Sequence, residues 1–254
     1  MVSTPKVVYQ TWKSKTTLPS DLEPYVEDWK RLHPDYQHVL LDDADLRSIV
    51  AQVVSPSDLE QYDSFTHNIE RVDFARYALL YLNGGVYADL DIKPLRKIDK
   101  WTSRNKIVLG CEPTKHAHEL YGRDRVVCNA IMFSPPSQPF WKDLMNYILS
   151  KYEHRYKPVE NTGPMAITHF LEGPGKKYEK ELIITEPCVF YPLQGDKTIS
   201  PECGDLSKSD VVHIWANTWT PNWYTDPMWF NSRYMFWVFF ILYVIVISYL
   251  LLKK

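Results

Sequence analysis

Apolar residues in the first part of the chain fall into short runs of two kinds that alternate. Residues 5–12 and Tyr36–Leu41 are compact apolar runs and predict buried strands. Leu22–Leu32 and Ala44–Val53 are predicted to be helices, and Asp42-Asp43 can cap the second of them. Strands that alternate with helices predict an α/β domain built on a mostly parallel sheet.

The segment from Asn68 to Arg96 has the most informative pattern in the chain. Its first part repeats apolar residues at helical spacing, at Ile69, Val72, Ala75, Leu79, Leu80 and Leu82. Asn83-Gly84-Gly85 supplies residues that tolerate a left-handed backbone, which predicts the end of that helix. A strand is predicted to follow over Val86–Ile92 and to be closed by Pro94.

Two aspartates are expected on one face of that strand. Side chains alternate along a strand, so one face takes the apolar residues and the other the polar ones. The first face consists of Val86, Ala88, Leu90 and Ile92, and the second of Tyr87, Asp89 and Asp91. Two carboxylates this close repel each other unless a cation lies between them. Oxygen ligands suit Mg²⁺ or Mn²⁺, ions that are commonly shared with substrate phosphates.

Two further charged residues lie upstream in the predicted helix. Asp73 and Arg76 are three positions apart and therefore share a helical face. The helix turns back through Gly84-Gly85 into the strand of Asp89, so both polar pairs could face one cleft. The alternative is an ion pair on the helix surface, which would contribute about 0.3–0.5 kcal/mol.

A long apolar run stands near the C-terminus. Tyr234–Leu252 contains no charged residue, and at about 1.5 Å per residue a helix of this length spans the roughly 30 Å of a hydrocarbon core. We expect a transmembrane anchor over residues 231–254 behind a catalytic domain over residues 1–230. A buried core helix is the alternative. The N-terminal residues show no signal peptide. We expect a single-pass protein of the ER or Golgi membrane, and a cytosolic position of the catalytic domain is favoured.

Composition narrows the class of protein only slightly. The 254 residues carry a formal net charge of −2, so nucleic acid is not an expected partner. The four cysteines, Cys111, Cys128, Cys188 and Cys203, show no metal-ribbon spacing. Free and mostly buried thiols are the favoured interpretation, although the even number permits disulfides.

A family resemblance is carried by residues 71–91, with the sequence RVDFARYALLYLNGGVYADLD. This run closely resembles the DXD sugar-binding motif of glycosyltransferase family 32, which includes fungal α-1,6-mannosyltransferases and mannosyltransferases acting on inositol phosphorylceramide. It is also similar to the glucosylating domain of large clostridial toxins. Residues 5–12, 129–134, 162–164 and 213–219 resemble further elements of the family. The resemblance implies a GT-A-type nucleotide-sugar-binding fold.

The resemblance implies roles for the four charged residues already singled out. Asp73 and Arg76 would hold the donor sugar. Asp91 would bind the metal directly, and Asp89 would contact the ribose, the sugar or water on the metal. These four residues form the implied catalytic set.

Three other residues receive roles from the resemblance alone. Trp12 would stack on the base of the nucleotide, and Asn129 would join the donor site. His213 would complete the metal or diphosphate site. Without the resemblance, Trp12 would be a half-buried aromatic, Asn129 would bond a neighbouring backbone group, and His213 would be a strand-end histidine satisfied by hydrogen bonds.

The activity implied is that of a retaining glycosyltransferase that uses Mn²⁺ or Mg²⁺ and a nucleotide sugar. Same-face displacement is favoured, because no carboxylate in the sequence can be assigned as the nucleophile of a double displacement. The favoured donor is GDP-mannose, which would supply mannose, and the favoured acceptor is an inositol phosphosphingolipid. The protein is expected to contact the bilayer that holds this lipid through Tyr234–Leu252. The alternatives are a UDP-hexose-dependent transferase acting on a glycan or protein, a non-catalytic sugar-binding relative, and a metal-dependent phosphohydrolase.

Overall fold

The computed structural model describes residues 3–155, 157–216, 218 and 241–244. The chain divides into two compact units, Met1–Trp215 and Ala216–Lys254. The predicted boundary at residue 230 lies outside the described residues, so the division into 1–230 and 231–254 stays a prediction.

The first unit alternates strands with helices, as the apolar pattern predicted. Its strands are Val7–Thr11 (β1), Gln37–Leu41 (β2), Gly85–Ala88 (β3), Ile92–Pro94 (β4), Ile107–Cys111 (β5), Val127–Ser134 (β6), Leu182–Thr185 (β7) and Val211–His213 (β8). Its α-helices are Glu23–Leu32 (α1), Asp43–Ala51 (α2), Pro56–Asp63 (α3), Asn68–Asn83 (α4), Asp99–Thr102 (α5), Thr114–Tyr121 (α6), Pro139–Lys151 (α7), Pro158–Asn161 (α8), Pro164–Glu172 (α9) and Pro187–Phe190 (α10). A 3₁₀ helix follows α9 at Pro174–Tyr178.

Six strands form one mixed sheet in the order β2-β1-β3-β6-β5-β7. β6 runs antiparallel to both of its neighbours, whereas the other pairings are parallel. Five strands therefore point the same way, and the sheet departs from the predicted parallel arrangement at β6. β4 and β8 form a separate antiparallel pair in which Ile92 lies opposite His213.

Apolar side chains cover both faces of the large sheet. Tyr87 and Met132 belong to one core together with residues of α4, α7 and α9, whereas Val86 and Phe133 belong to a second core that includes Trp29. Consecutive residues of a strand point to opposite faces, so β3 and β6 are buried on both sides. A strand buried on both sides needs no polar alternation, which explains the nearly continuous apolar run of β6.

Helix α4 ends in a glycine turn, as predicted. Gly84 has a φ of 64° and Gly85 a φ of 97°, values that glycine adopts without a steric penalty. The Gly84 N–H donates to Leu80 O at 3.0 Å and closes the last turn of the helix. The chain then reverses directly into β3, which places α4 against the strand that follows it.

The predicted strand over Val86–Ile92 is wrong in its middle. β3 ends at Ala88, and a 3.0 Å hydrogen bond from Ile92 N to Asp89 O closes a turn before β4 begins. The physical reason is that the two strands have different partners, because β3 pairs with β6 and β4 pairs with β8. Asp89 and Asp91 therefore lie on a turn rather than along one strand face.

The described part of the chain does not support the predicted membrane anchor. Within the described part of the chain, no helix is long and apolar enough to cross a membrane. A span needs about 20 apolar helical residues, and the described part of Tyr234–Leu252 is the helical segment 241–244. The rest of that run lies outside the described residues. The predicted single-pass ER or Golgi location is therefore corrected, and the bilayer is not retained as a partner.

The cysteines are only partly as predicted. Cys188 and Cys203 form a disulfide with their Cα atoms 5.2 Å apart, contrary to the favoured interpretation of four free thiols. Cys111 and Cys128 are free and buried, as expected. The bridge closes the loop between α10 and β8, a proximity that arises from the tertiary fold and not from the spacing of the cysteines.

We expect Gly84→Ala to lower the free energy of unfolding by about 3 kcal/mol, because strain at a glycine-only backbone conformation adds to steric overlap. A β-carbon at Gly84 would lie 2.5 Å from Pro136 N and 2.8 Å from Ser134 O. Gly122→Ala is the matched control, since Gly122 has a φ of 62° but nothing within 4 Å of the added carbon. It should cost about 1 kcal/mol. Denaturant unfolding measures both, and equal losses would contradict the steric argument.

Candidate active site

The candidate site lies at the edge of the sheet where β3 ends and β6 begins. Asp89 directly follows β3 and extends its pairing through a 2.8 Å hydrogen bond from its N–H to Ala130 O. Asn129 lies in β6 at the same edge because β6 runs antiparallel to β3. Asp73 and Arg76 come from α4, which packs on one face of these strands. The Gly84-Gly85 turn thus brings the two polar pairs together, as expected.

Arg76 is the central charge of this site. Only 3% of its side chain is exposed. Its Nη2 lies 3.1 Å from Asp73 Oδ1, and its Nη1 lies 3.3 Å from Asp89 Oδ1. Its Nη1 also donates to Asn129 O at 3.0 Å, and its guanidinium lies 4.5 Å from the centre of the Tyr87 ring. A buried charge is tolerated only when it is paired and hydrogen-bonded. The alternative of a helix-surface ion pair is therefore excluded.

The Asp73 carboxylate is held on both of its oxygens. Asn129 Nδ2 donates to Oδ1 at 2.9 Å, and Thr162 Oγ1 donates to Oδ2 at 3.2 Å. The amide of Asn129 also donates to Tyr77 OH at 2.9 Å, while Tyr77 OH donates to Thr162 O at 2.6 Å. Asn129 therefore bonds side chains of the site, and its alternative role as a partner of nearby backbone does not hold.

The turn that carries Thr162 was not assigned a role from the sequence. Its next residue, Gly163, lies so close to Asp73 that a β-carbon there would be 3.3 Å from Oδ2. The same carbon would lie 3.0 Å from Val159 Cα. The resemblance of residues 162–164 to a family element was the available signal, and its physical basis is this close approach to Asp73.

Tyr87 is a second residue that sequence reasoning left without a role. Its hydroxyl donates to Asp89 Oδ1 at 2.7 Å and lies 3.0 Å from Thr11 Oγ1. Gln10 Nε2 donates to Asp89 O at 3.4 Å. Tyr87 and Asp89 were predicted to share a face, so the alternation in β3 was the signal that could have linked them.

Asp89, Asp91 and His213 form a candidate metal centre. Each offers one ligand atom, and these atoms lie within 4.8 Å of one another. His213 Nε2 is 3.2 Å from Asp91 Oδ2, because the pairing of β4 with β8 sets His213 opposite Ile92. Carboxylate oxygens suit Mg²⁺ and Mn²⁺, and an imidazole nitrogen is compatible with the latter. The three residues predicted as metal ligands are thus brought together and fit such an ion.

Burial and neighbouring charges oppose each other at three groups of the site, and the net shift of each pKa is upward. Burial raises the pKa of Asp73 to about 6, although the Arg76 guanidinium opposes the shift. Burial likewise raises the pKa of Asp89 against the effect of Arg76. For His213, burial lowers the pKa, but the Asp91 carboxylate together with Asp89 and Glu112 outweighs it, so the net shift is upward. Asp91 adds to the upward shift in the pKa of Asp89, and a cation between the two carboxylates would relieve that repulsion.

Trp12 follows β1 and is half-buried. β1 is parallel to β3, so Trp12 leaves the sheet at the same edge as Asp89. Its N–H donates to Leu41 O at 3.0 Å, and Lys13 Nζ lies 5.6 Å from the centre of its indole ring. Trp12 therefore lies at the edge of the sheet that carries the candidate site. Its stacking on the base of a nucleotide stays a prediction.

Part of the chain that carries these residues is similar to known proteins. Residues 19–108 match the sequence model of the family described as the glycosyltransferase sugar-binding region containing the DXD motif. The chain is 42% identical over 95 residues to inositol phosphoceramide mannosyltransferase 3 of Schizosaccharomyces pombe, covering 37% of this chain and 26% of that protein. It is 29% identical over 144 residues to the initiation-specific alpha-1,6-mannosyltransferase of Candida albicans, covering 55% of this chain and 34% of that protein. The chain thus spans about a quarter to a third of these relatives.

The fold also resembles that of a solved glycosyltransferase. The structure titled PaToxG Glycosyltransferase superimposes with a TM-score of 0.54 at 14% identity, covering 70% of this chain and 73% of that one. A likeness at this level concerns the fold alone, and it supports the GT-A-type fold that the resemblance implied. The match of residues 19–108 and the similarity to the two mannosyltransferases confirm the resemblance to the DXD-containing glycosyltransferases of family 32.

Proposed function

We propose that this chain is a retaining, metal-dependent glycosyltransferase that moves a hexose from a nucleotide sugar to a hydroxyl acceptor. The observation that supports the proposal best is Arg76, buried between Asp73 and Asp89 beside a cluster of metal-type ligands. Mannose from GDP-mannose is the proposed donor, because the relatives similar to this region are named as mannosyltransferases. A UDP-hexose is the alternative donor.

Asp73 and Arg76 would bind the donor sugar. Arg76 Nε is buried and has no hydrogen-bond partner among the described residues. An unpaired buried donor costs about 1–3 kcal/mol, and a sugar hydroxyl that accepts from it would remove that cost. Asp73, fixed by Asn129 and Thr162, would accept a hydrogen bond from a second hydroxyl.

Asp91, Asp89 and His213 would hold Mn²⁺ or Mg²⁺, which would supply positive charge against the departing diphosphate. Trp12, at the same sheet edge, would stack on the base. In the proposed same-face displacement, the bond from the anomeric carbon to the diphosphate breaks while the acceptor oxygen bonds to that carbon. The departing diphosphate oxygen takes the proton of the acceptor. Orientation by buried side chains would supply much of the rate.

The acceptor is proposed to be the head group of an inositol phosphosphingolipid. The support is the similarity to a protein named as an inositol phosphoceramide mannosyltransferase. A glycan acceptor is the alternative, since another relative is named as an α-1,6-mannosyltransferase.

Loss of one carboxylate should weaken metal binding. We expect Asp91→Asn to raise the Kd for Mn²⁺ by at least tenfold, because a neutral amide replaces an anionic ligand. Electron paramagnetic resonance of free Mn²⁺ measures the change. Asp124→Asn is the control, since the Asp124 side chain is 99% exposed. An unchanged affinity in Asp91→Asn would remove Asp91 from the metal centre.

Donor specificity gives the direct test of the function. The full chain is incubated with GDP-mannose, UDP-glucose and UDP-galactose, with and without Mn²⁺, and release of nucleoside diphosphate is measured. We expect turnover of one donor only with metal, and a loss of at least 100-fold in Asp91→Asn, because charge on the leaving diphosphate would be left unneutralised. Absence of turnover for every donor in the presence of Mn²⁺ would refute the proposed activity.

Donor binding should weaken in acid. Burial holds the pKa of Asp73 at about 6, so the carboxylate takes up a proton as the pH falls through 6 and loses hydrogen-bond acceptors. We expect the Kd of the donor to rise about tenfold between pH 7 and pH 5. Calorimetric titration of wild type and Asp73→Asn at both values checks this. Identical pH dependence in the two proteins would exclude Asp73 as its source.

A further inference from the structure

We propose that Glu112, His116 and Trp215 form the subsite that binds the acceptor ring, beside the candidate metal centre. This inference rests on the proposed transferase function and names the class of acceptor group. The occupant is a six-membered ring rich in hydroxyls, either a hexose or an inositol. None of these three residues belongs to the donor site described above.

Glu112 reaches the same edge of the sheet as Asp89. It directly follows β5, and β5 and β3 point the same way because both are antiparallel to β6. Only 2% of Glu112 is exposed. A carboxylate that is buried to this extent is expected to lie beside a specific polar or charged side chain.

That partner is His116 on α6. Its Nδ1 lies 2.9 Å from Glu112 Oε2, and neither atom makes a hydrogen bond to any of the residues described. With Nδ1 facing the carboxylate, Nε2 is the nitrogen available to a ligand. Nε2 faces Gly195, where an added β-carbon would come within 3.6 Å. Because residue 195 has no side chain, this space stays open.

Trp215 links this pair to the metal centre. Its ring centre is 4.1 Å from that of His213 and 4.7 Å from that of His116. The indole Nε1 donates to Leu193 O at 2.9 Å, and the backbone φ is 54°. A positive φ is uncommon for a bulky residue and often marks a functional site. The indole of this half-buried residue is therefore fixed beside His213.

The arrangement matches the chemistry of a sugar or inositol ring. Such a ring can lay its C–H face on an indole while its hydroxyls bond a neighbouring imidazole. The donor-binding residues Asp73 and Arg76 lie on α4 at one face of the sheet, whereas Trp215 packs against the core of the other face. Asp89 of the metal centre contacts Arg76, and His213 contacts Trp215. An acceptor on Trp215 would therefore approach the bond between the donor sugar and the diphosphate.

Binding of isolated rings tests the subsite without requiring turnover. The full chain is titrated with methyl α-mannoside and separately with myo-inositol, and binding is followed by saturation-transfer NMR. We expect one ring to bind wild type and to bind His116→Gln at least tenfold more weakly. The ring that binds distinguishes a glycan from a lipid head group. His118→Gln, on the same helix with a side chain 54% exposed, should bind as wild type does.

Two results would overturn the subsite. The first is equal ring binding by wild type and His116→Gln, and the second is failure of wild type to bind either ring. Metal-dependent donor hydrolysis in the same preparations tests the transferase proposal separately. If hydrolysis is absent while ring binding still depends on His116, the proposed function fails and the subsite stands.

Glu112→Gln tests the positioning role of the carboxylate. We expect the acceptor KM in the transfer reaction to rise about tenfold, while donor hydrolysis and the thermal unfolding midpoint stay at wild-type values. A purely structural role would lower donor hydrolysis and the unfolding midpoint together. That result, or an unchanged acceptor KM, would remove Glu112 from the subsite.

Discussion

The buried charge of Arg76 is the constraint on which the rest of the first unit depends. A guanidinium keeps its proton in a protein, so a side chain that is 3% exposed must be surrounded by acceptors. Asp73 comes from the same helix, Asp89 from the end of β3, and the carbonyl of Asn129 from β6. Removing one partner from such a group typically costs about 3–5 kcal/mol. The network around Arg76 therefore links the packing of α4 on β3 and β6 to the geometry of the site.

Elements whose pattern is local were predictable from the sequence. Helix α4 has regular apolar spacing, and the glycines that follow it tolerate the positive φ values of the chain reversal. The proximity of Asp73 and Arg76 to Asp89 follows from that reversal alone. The same reasoning explains why the sugar-binding motif could be assigned, since nearly all of its residues lie on this one helix–turn–strand unit.

Features that depend on distant partners were not predictable. The turn at Asp89–Asp91 exists because β4 pairs with β8, some 120 residues later in the chain. Thr162 reaches Asp73, and Cys188 reaches Cys203, only through the tertiary fold. The apolar run at Tyr234–Leu252 shows that a local pattern can also mislead. Its length and hydropathy predicted a membrane anchor, which the described helices do not support.

The disulfide has a consequence for how the protein is produced. The Cys188–Cys203 bridge closes the loop that contains Leu193, and the carbonyl of Leu193 holds the indole of Trp215. Structural disulfides persist in oxidising compartments and are reduced in the cytosol. Material made in a reducing expression host would keep the Asp73–Arg76 network but lose the covalent restraint beneath Trp215. Such material would be suited to studies of the donor, and oxidised material to studies of the acceptor.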